Sequence, residues 1–197
     1  SSEKVRLTAF KPSPVGRARV RFPVGAVDGD SLRLAYRFER DPERVVQHIR
    51  VPFKALTEGG VKADNMTSNT PDRIAGALEV VSPAKMRAEN PSMACSPNDC
   101  FIVWHEESRD GVWAAPVPIG TATPLYKREV VNNLGRNPGV GVDAKGQYQL
   151  FWFERTKLMT SRLDRDGVRE PSVAGRMTTA DRPEPSVSPG IVPNQWF

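Results

Sequence analysis

The sequence predicts an all-β fold built from a repeated unit of several strands, on three observations. First, apolar residues alternate with charged ones in short runs, as where Leu32, Leu34 and Tyr36 alternate with Arg33 and Arg37, which is the pattern of a strand with one apolar face. Second, the 18 prolines and 15 glycines favour many short strands joined by turns. Third, a pattern of proline, short apolar run, turn and longer strand returns along the chain.

The repeat has a regular period. Pro91, Pro138 and Pro185 follow one another at intervals of 47 residues, whereas Pro23 precedes Pro91 by 68 residues, an excess of 21. A period of roughly 40 to 50 residues with several strands per unit is typical of β-propeller blades. The chain therefore predicts about three and a half blades. Because propellers normally have about four to eight blades, we expect part of a larger or two-chain propeller.

The repeat divides the chain into five predicted regions. Residues 1–21 form a leading strand and turn that could close a ring, and residues 22–89 form blade 1, with a long polar loop inserted at 57–76. Blade 2 covers 90–136, blade 3 covers 137–183, and 184–197 start blade 4. The inserted loop exceeds about 12–15 residues, the length beyond which loops are usually functional or disordered.

Each full unit holds four predicted strands separated by turn signals. In blade 1 the turn Asp28-Gly29-Asp30 supplies the positive φ that a hairpin needs. Asp110-Gly111 and Asp166-Gly167 mark turns in the later units. The predicted strands are 24–27, 32–38, 45–53 and 77–81, then 93–95, 100–104, 112–119 and 128–131, then 140–142, 147–153, 158–163 and 172–174.

Charge and composition argue against several classes of function. The net charge is +5, but Lys and Arg are mixed with acids rather than clustered with aromatics on one element, so no nucleic-acid partner is expected. No apolar run approaches the 18 or more residues of a membrane span. The sequence also lacks glycine-rich phosphate loops and clusters of metal ligands, so we expect no cofactor and no metal.

Cys95 and Cys100 flank a four-residue turn between two predicted antiparallel strands. Residues that face each other across such a ladder lie within disulfide range, so we predict a bond between them. The alternative is two buried thiols. A disulfide would imply an oxidising compartment, and the predicted location is therefore extracytoplasmic: periplasmic, on the surface or secreted.

The candidate ligand-binding residues are Trp113, Arg109 and His105. Trp104 and Trp152 recur in register in the repeat and are expected to pack blades, whereas Trp113 is out of that register and is the best candidate for an exposed aromatic. No catalytic residue is assigned. A residue that recurs in every unit more often serves blade structure, by pairing with arginine or capping a turn; such residues are Glu39, Glu106 and Glu154.

The repeats resemble secreted or surface bacterial β-propellers of the sialidase-like (BNR-like) kind, over about residues 22–197. The motifs that carry the resemblance are Pro138-Gly139-Val140-Gly141-Val142 with Gly146 and Trp152, and Pro91-Ser92-Met93-Ala94-Cys95 with Trp104. The box Ser-x-Asp-x-Gly-x-Thr-Trp of many sialidases is absent as written. Asp143-Ala144-Lys145-Gly146 keeps its Asp and Gly at a longer spacing.

Three functional hypotheses follow. The first is a non-catalytic β-propeller that binds a protein or glycan partner at the cell surface or outside the cell. The second is a propeller glycoside hydrolase whose site lies partly on further blades; it should show at least two acids and several arginines in one central funnel. The third is a structural subunit of a larger assembly. We also expect a second polypeptide that completes the propeller, or a homodimer joined edge to edge.

Overall fold

The computed structural model describes residues 19–40, 42–54, 79–83, 85–118, 127–131 and 135–176. These residues form three antiparallel sheets of four strands each, which confirms the prediction of an all-β fold. The predicted loop 57–76, residues 1–18 of the predicted leading strand and turn, and the start of a fourth unit at 184–197 lie outside the described residues.

Each sheet is a meander in which strands that follow one another in sequence are also neighbours. Sheet A contains β1 (Arg19–Asp28), β2 (Ser31–Arg40), β3 (Glu43–Pro52) and β4 (Glu79–Val80). Sheet B contains β5 (Ala88–Cys95), β6 (Asp99–Glu106), β7 (Gly111–Pro118) and β8 (Arg128–Val131). Sheet C contains β9 (Arg136–Val142), β10 (Tyr148–Glu154), β11 (Lys157–Asp164) and β12 (Gly167–Arg176).

The sheets pack in the order A, B, C, with the first strands β1, β5 and β9 side by side. Period-2 alternation makes this possible, because strands β5, β6 and β7 each direct one set of side chains to sheet A and the other to sheet C. Trp104 lies fully buried in the core between sheets A and B. Trp152 is equally buried in the core between B and C. Both tryptophans pack neighbouring sheets together, as predicted.

The first strand of every sheet contains a β-bulge at the residue before a proline. Phe22, Asn90 and Asn137 have φ values of 52°, 47° and 47°, in the left-handed region that non-glycine residues rarely adopt. In each sheet this residue and its proline stand opposite a single residue of the second strand. That residue is a buried aromatic every time: Tyr36, Trp104 and Trp152. The bulge re-aims the side chains at the start of each first strand.

A buried ion pair within sheet A is connected to sheet B through Arg33. The Arg33 guanidinium donates to the Asp28 carboxylate at 2.5 Å, and both side chains are fully buried. Arg33 also donates to the carbonyl oxygen of Pro118 on β7, at 2.9 Å. A buried charge needs such partners, because water is not available to solvate it.

Cys95 and Cys100 form the predicted disulfide across the β5–β6 turn. The two residues stand directly opposite each other in the ladder. Among the described residues, none belongs to a helix long and apolar enough to cross a membrane.

Candidate functional site

A polar pocket of about 650 Å³ opens at the end of the stack where strands β5 and β9 begin. All three sheets contribute to it. We call it the polar pocket. Its lining residues are Arg37, Arg44, Glu89, Asn90, His105, Glu107, Asp110, Arg136 and Asn137.

The residues of the β-bulges contribute to the lining of the polar pocket. The two residues before Pro91 are Glu89 and Asn90, and the two before Pro138 are Arg136 and Asn137; all four line the pocket. Asn90 Nδ2 donates to Asn137 Oδ1 at 2.8 Å. The bulges thus bring the same two positions of neighbouring sheets into contact.

Glu89 is held between two arginines of sheet A. Its carboxylate accepts from Arg37 Nη1 and, at 2.7 Å, from Arg44 Nη1. Arg37 also lies over the ring of Phe22, 4.8 Å from the ring centre, a cation–π geometry. Burial lowers the pKa of Arg37, and the nearby charge of Glu39 opposes that shift. The Arg37 guanidinium is thus positioned by Glu89, the ring of Phe22 and Glu39 together.

Glu107 and Asp110, in the turn between β6 and β7, are paired in the same way. Glu107 Oε2 accepts from Arg44 at 3.1 Å and from Arg87 at 3.0 Å. Asp110 accepts from Arg136 Nη2. Burial alone would raise the pKa of Asp110, but the hydrogen bond and charge of Arg136 outweigh it and hold the pKa below its usual value.

His105 completes this wall of the polar pocket. Its Nε2 lies 3.5 Å from Asp110 Oδ1, and only 8% of its side chain is exposed. Burial lowers the pKa of His105, and the charge of Asp110 offsets part of that effect. The imidazole is therefore neutral near pH 7.

Taken together, the charged groups of the polar pocket balance. Three arginines and three carboxylates line it, and each carboxylate has at least one arginine partner. For Asp110, the hydrogen bond and charge of Arg136 hold the pKa below its usual value, whereas a general acid needs a raised pKa. The pocket consequently offers fixed hydrogen-bonding groups without a net charge, and it suits a neutral, polar ligand.

The structure separates the three predicted ligand-binding residues. His105 lines the polar pocket. Arg109 is exposed in the adjacent turn, where its backbone N–H donates to the Glu106 carbonyl at 3.3 Å, and it is not among the lining residues. Trp113 stands opposite Trp104 and stacks on it, with ring centres 6.3 Å apart; it is half-buried against the core between sheets A and B.

The three recurring glutamates make structural contacts. Glu39 pairs with Arg21 at 3.3 Å. Glu106 Oε1 caps the following turn by accepting from the Ser108 N–H at 3.2 Å, and Glu154 accepts from the indole N–H of Trp152 at 2.9 Å. These contacts agree with the structural interpretation of the recurrence.

A second cavity, of about 610 Å³, lies at the opposite end of strands β5 and β6. Phe101, Tyr148 and Leu163 line it together with charged residues of the turns. The Tyr148 hydroxyl accepts from the Ser96 N–H at 2.9 Å and donates to Asp99, so it ties down the disulfide-bonded turn. The described residues that line this cavity belong to sheets B and C and their turns.

The dipeptides before the repeat prolines are the sequence signal for the polar pocket. The prolines themselves define the period, and Glu89-Asn90 and Arg136-Asn137 stand directly before two of them. Polar pairs at one repeat position, on strands that begin at the same end of a stack, predict a shared polar site. Arg37 and Arg44 carry no comparable signal, because their approach to Glu89 depends on how the sheets pack.

Comparison with known proteins assigns no family to this chain. No protein-family model matches it, and no curated protein matches it. Within the described ranges, no group of three or more His, Cys, Asp or Glu side chains could hold a metal ion. The geometry of the polar pocket therefore carries the functional argument.

Proposed function

We propose that this chain is part of a β-propeller, with sheets A, B and C as blades, and that it is a non-catalytic module that binds a glycan in the polar pocket. The four-stranded meanders and the adjacency of their first strands support the propeller. In that architecture the first strands surround the central axis, and the polar pocket opens beside them.

The observation that carries the binding function is the pairwise balance of charge around an amide pair. A sugar presents hydroxyl groups, which accept and donate hydrogen bonds but carry no charge. Paired carboxylates and guanidinium groups can bind such hydroxyls without losing their ionic partners. The pocket volume of about 650 Å³ falls within the range of small-ligand sites, roughly 300–1,000 Å³. A concave site of this size suits a glycan better than it suits a protein partner with a flat binding surface.

An extracytoplasmic location is part of the proposal, because disulfides persist in oxidising compartments. The support is the Cys95–Cys100 bond. Alkylation of the native chain without reductant, followed by mass spectrometry, should leave both cysteines unlabelled. Full labelling of both would count against that location.

Titration calorimetry with neutral oligosaccharides tests the binding function. The native chain should bind, and Arg136→Ala should weaken binding at least about tenfold, because it removes a pocket group and leaves Asp110 without its arginine. Arg109→Ala is the matched control, since Arg109 is an arginine at the same end of the stack but outside the pocket lining. Equal effects of the two substitutions would contradict the proposal.

A glycoside hydrolase is the second candidate, favoured by one observation: three carboxylates and three arginines line a single pocket. Incubation of the oligosaccharides with the native chain, with assay of new reducing ends, separates the two functions. A binding module releases none. Hydrolysis that disappears in Glu107→Gln or Asp110→Asn would establish the hydrolase instead.

A further inference from the structure

We infer that the amide pair of Asn90 and Asn137 is the part of the polar pocket that recognises the ligand, and that it binds two adjacent hydroxyl groups of a neutral sugar. The inference rests on the proposed glycan-binding function. It adds the class of ligand and the residues that select it.

The geometry of the pair supports this role. Asn90 Nδ2 donates to Asn137 Oδ1 at 2.8 Å, which sets the orientation of the Asn90 amide plane. Asn90 Oδ1 has no hydrogen-bond partner within the described part of the chain, and the side chain is half-buried on the pocket wall. An amide has one acceptor oxygen and two donor hydrogens. Asn90 can therefore accept from one sugar hydroxyl and donate to the next.

The backbone holds the two amides in advance of binding. Both asparagines have φ values of 47°, and both precede a proline that completes a bulge. Asn is the ordinary residue that best tolerates the left-handed region apart from glycine. Groups that are already ordered lose little entropy when a ligand arrives. The bulge thus makes a pre-organised binding element from two local sequence signals.

The charges beside the pair favour a neutral ligand over an anion. Glu89 precedes Asn90, but its carboxylate is already paired with Arg37 and Arg44, so neither it nor those arginines present an unpaired charge to the ligand. Arg136 precedes Asn137, but its guanidinium is already paired with Asp110. An anion would therefore have to displace an existing ion pair, whereas a hydroxyl pair would not.

Substitution by glycine separates the effect of the side-chain amide on binding from the effect of backbone strain. Asn90→Gly and Asn137→Gly keep the bulge, because glycine adopts a positive φ without strain. Each removes one amide, and the affinity for a neutral oligosaccharide should fall about tenfold, with the urea midpoint near that of the native chain. Asn90→Ala is the control for backbone strain: it removes the same amide but should also lower the midpoint.

The outcomes distinguish this inference from the proposed function. If the native chain binds neutral sugars and both glycine variants bind equally well, the inference fails and the binding function stands. If the native chain prefers a uronic acid to the matched neutral sugar, the arginines read the ligand and the inference is overturned. If the native chain binds no glycan at all, the proposed function fails and takes the inference with it.

Side-chain amide resonances of ¹⁵N-labelled protein provide a readout that does not depend on affinity. The Asn90 and Asn137 NH₂ signals, assigned from the two glycine variants, should shift on addition of a neutral oligosaccharide. Signals that stay in place while the chain binds sugar would locate the ligand elsewhere.

Discussion

At the scale of single residues, a buried ion pair shows how this protein compensates charge in its interior. Arg33 and Asp28 are both fully buried, and each uses the other as its counter-ion. Arg50 adds a second contact to Asp28 at 3.3 Å. Replacing one member of a buried pair leaves the other charge without compensation, which costs far more than the pair contributes on balance.

Asp28→Asn should therefore lower the free energy of unfolding by about 3–5 kcal/mol, as measured by urea denaturation. Asp30→Asn is the matched control, because Asp30 also contacts Arg50 but is 86% exposed, and exposed pairs contribute at most about 1 kcal/mol. Similar losses in the two variants would show that the buried pair is not the source of the effect.

His105 makes stability depend on pH. Burial holds its pKa below the ordinary value of 6.5 in the folded state, so the unfolded chain binds this proton more readily. Its contribution to stability is present in full above about pH 6.5 and declines as the pH falls toward the folded pKa. Asp110, whose pKa is also lowered, loses its contribution only below about pH 4.

The thermal midpoint should consequently fall between pH 7 and pH 5, and His105→Gln should flatten that dependence. Glutamine keeps a polar nitrogen near Asp110 but does not titrate. The comparison of variant and native midpoints at each pH isolates the histidine. A slope that is unchanged in the variant would assign the pH dependence to other groups.

At the scale of the elements, the sequence predicted strands and turns well. The alternation of apolar and polar residues predicted a strand from Leu32 to Phe38, which lies within the observed β2, Ser31–Arg40. This signal is direct because a half-buried strand has one apolar and one polar face. The bulges were not predicted. A residue before proline is biased toward the extended region, so the proline argued against a left-handed conformation at Asn90 and Asn137, although asparagine itself tolerates that conformation.

The turn between β1 and β2 offers a test of local backbone control. Gly29 has a φ of +56°, and a Cβ placed there would touch nothing within 4 Å. Gly29→Ala should thus lower stability by about 1 kcal/mol through backbone strain alone. Gly175→Ala is the control, since that position is equally open but has no positive φ, and its effect should stay within about 0.5 kcal/mol. Equal effects would exclude strain as the cause.

At the scale of the whole molecule, the sequence predicted the repeated units but not the contacts between the sheets. The period of the prolines predicted the succession of four-stranded units, but sequence spacing does not say which side chains face each other between sheets. Arg37 and Glu89 belong to different sheets and lie 52 positions apart. Trp113 lies opposite Trp104 because the short turn between β6 and β7 sets the register of that hairpin. The polar pocket therefore emerged only from the packing.

The outward faces of the stack bear on the proposed assembly. On the face of sheet A that points away from sheet B, Leu32 and Leu34 are half-buried, and Val27, which stands opposite Leu32, is 63% exposed. Sheets with two apolar faces are characteristic of layers that have neighbours on both sides. In a propeller every blade has two such neighbours.

We therefore expect the purified chain to associate through an outward face, either with a second copy of itself or with a second polypeptide that completes a ring. Size-exclusion chromatography with light scattering should give a mass above the 21.8 kDa of one chain. Val27→Lys places a charge on the outward face of sheet A, at a valine that is 63% exposed, and should shift the mass toward that of the monomer. Val173→Lys is the control. This valine on β12 is 48% exposed, and it stands opposite Met159 on the face of sheet C that points toward sheet B. A compact 21.8 kDa monomer that unfolds cooperatively would contradict the expected association, because three sheets would then suffice for a stable fold.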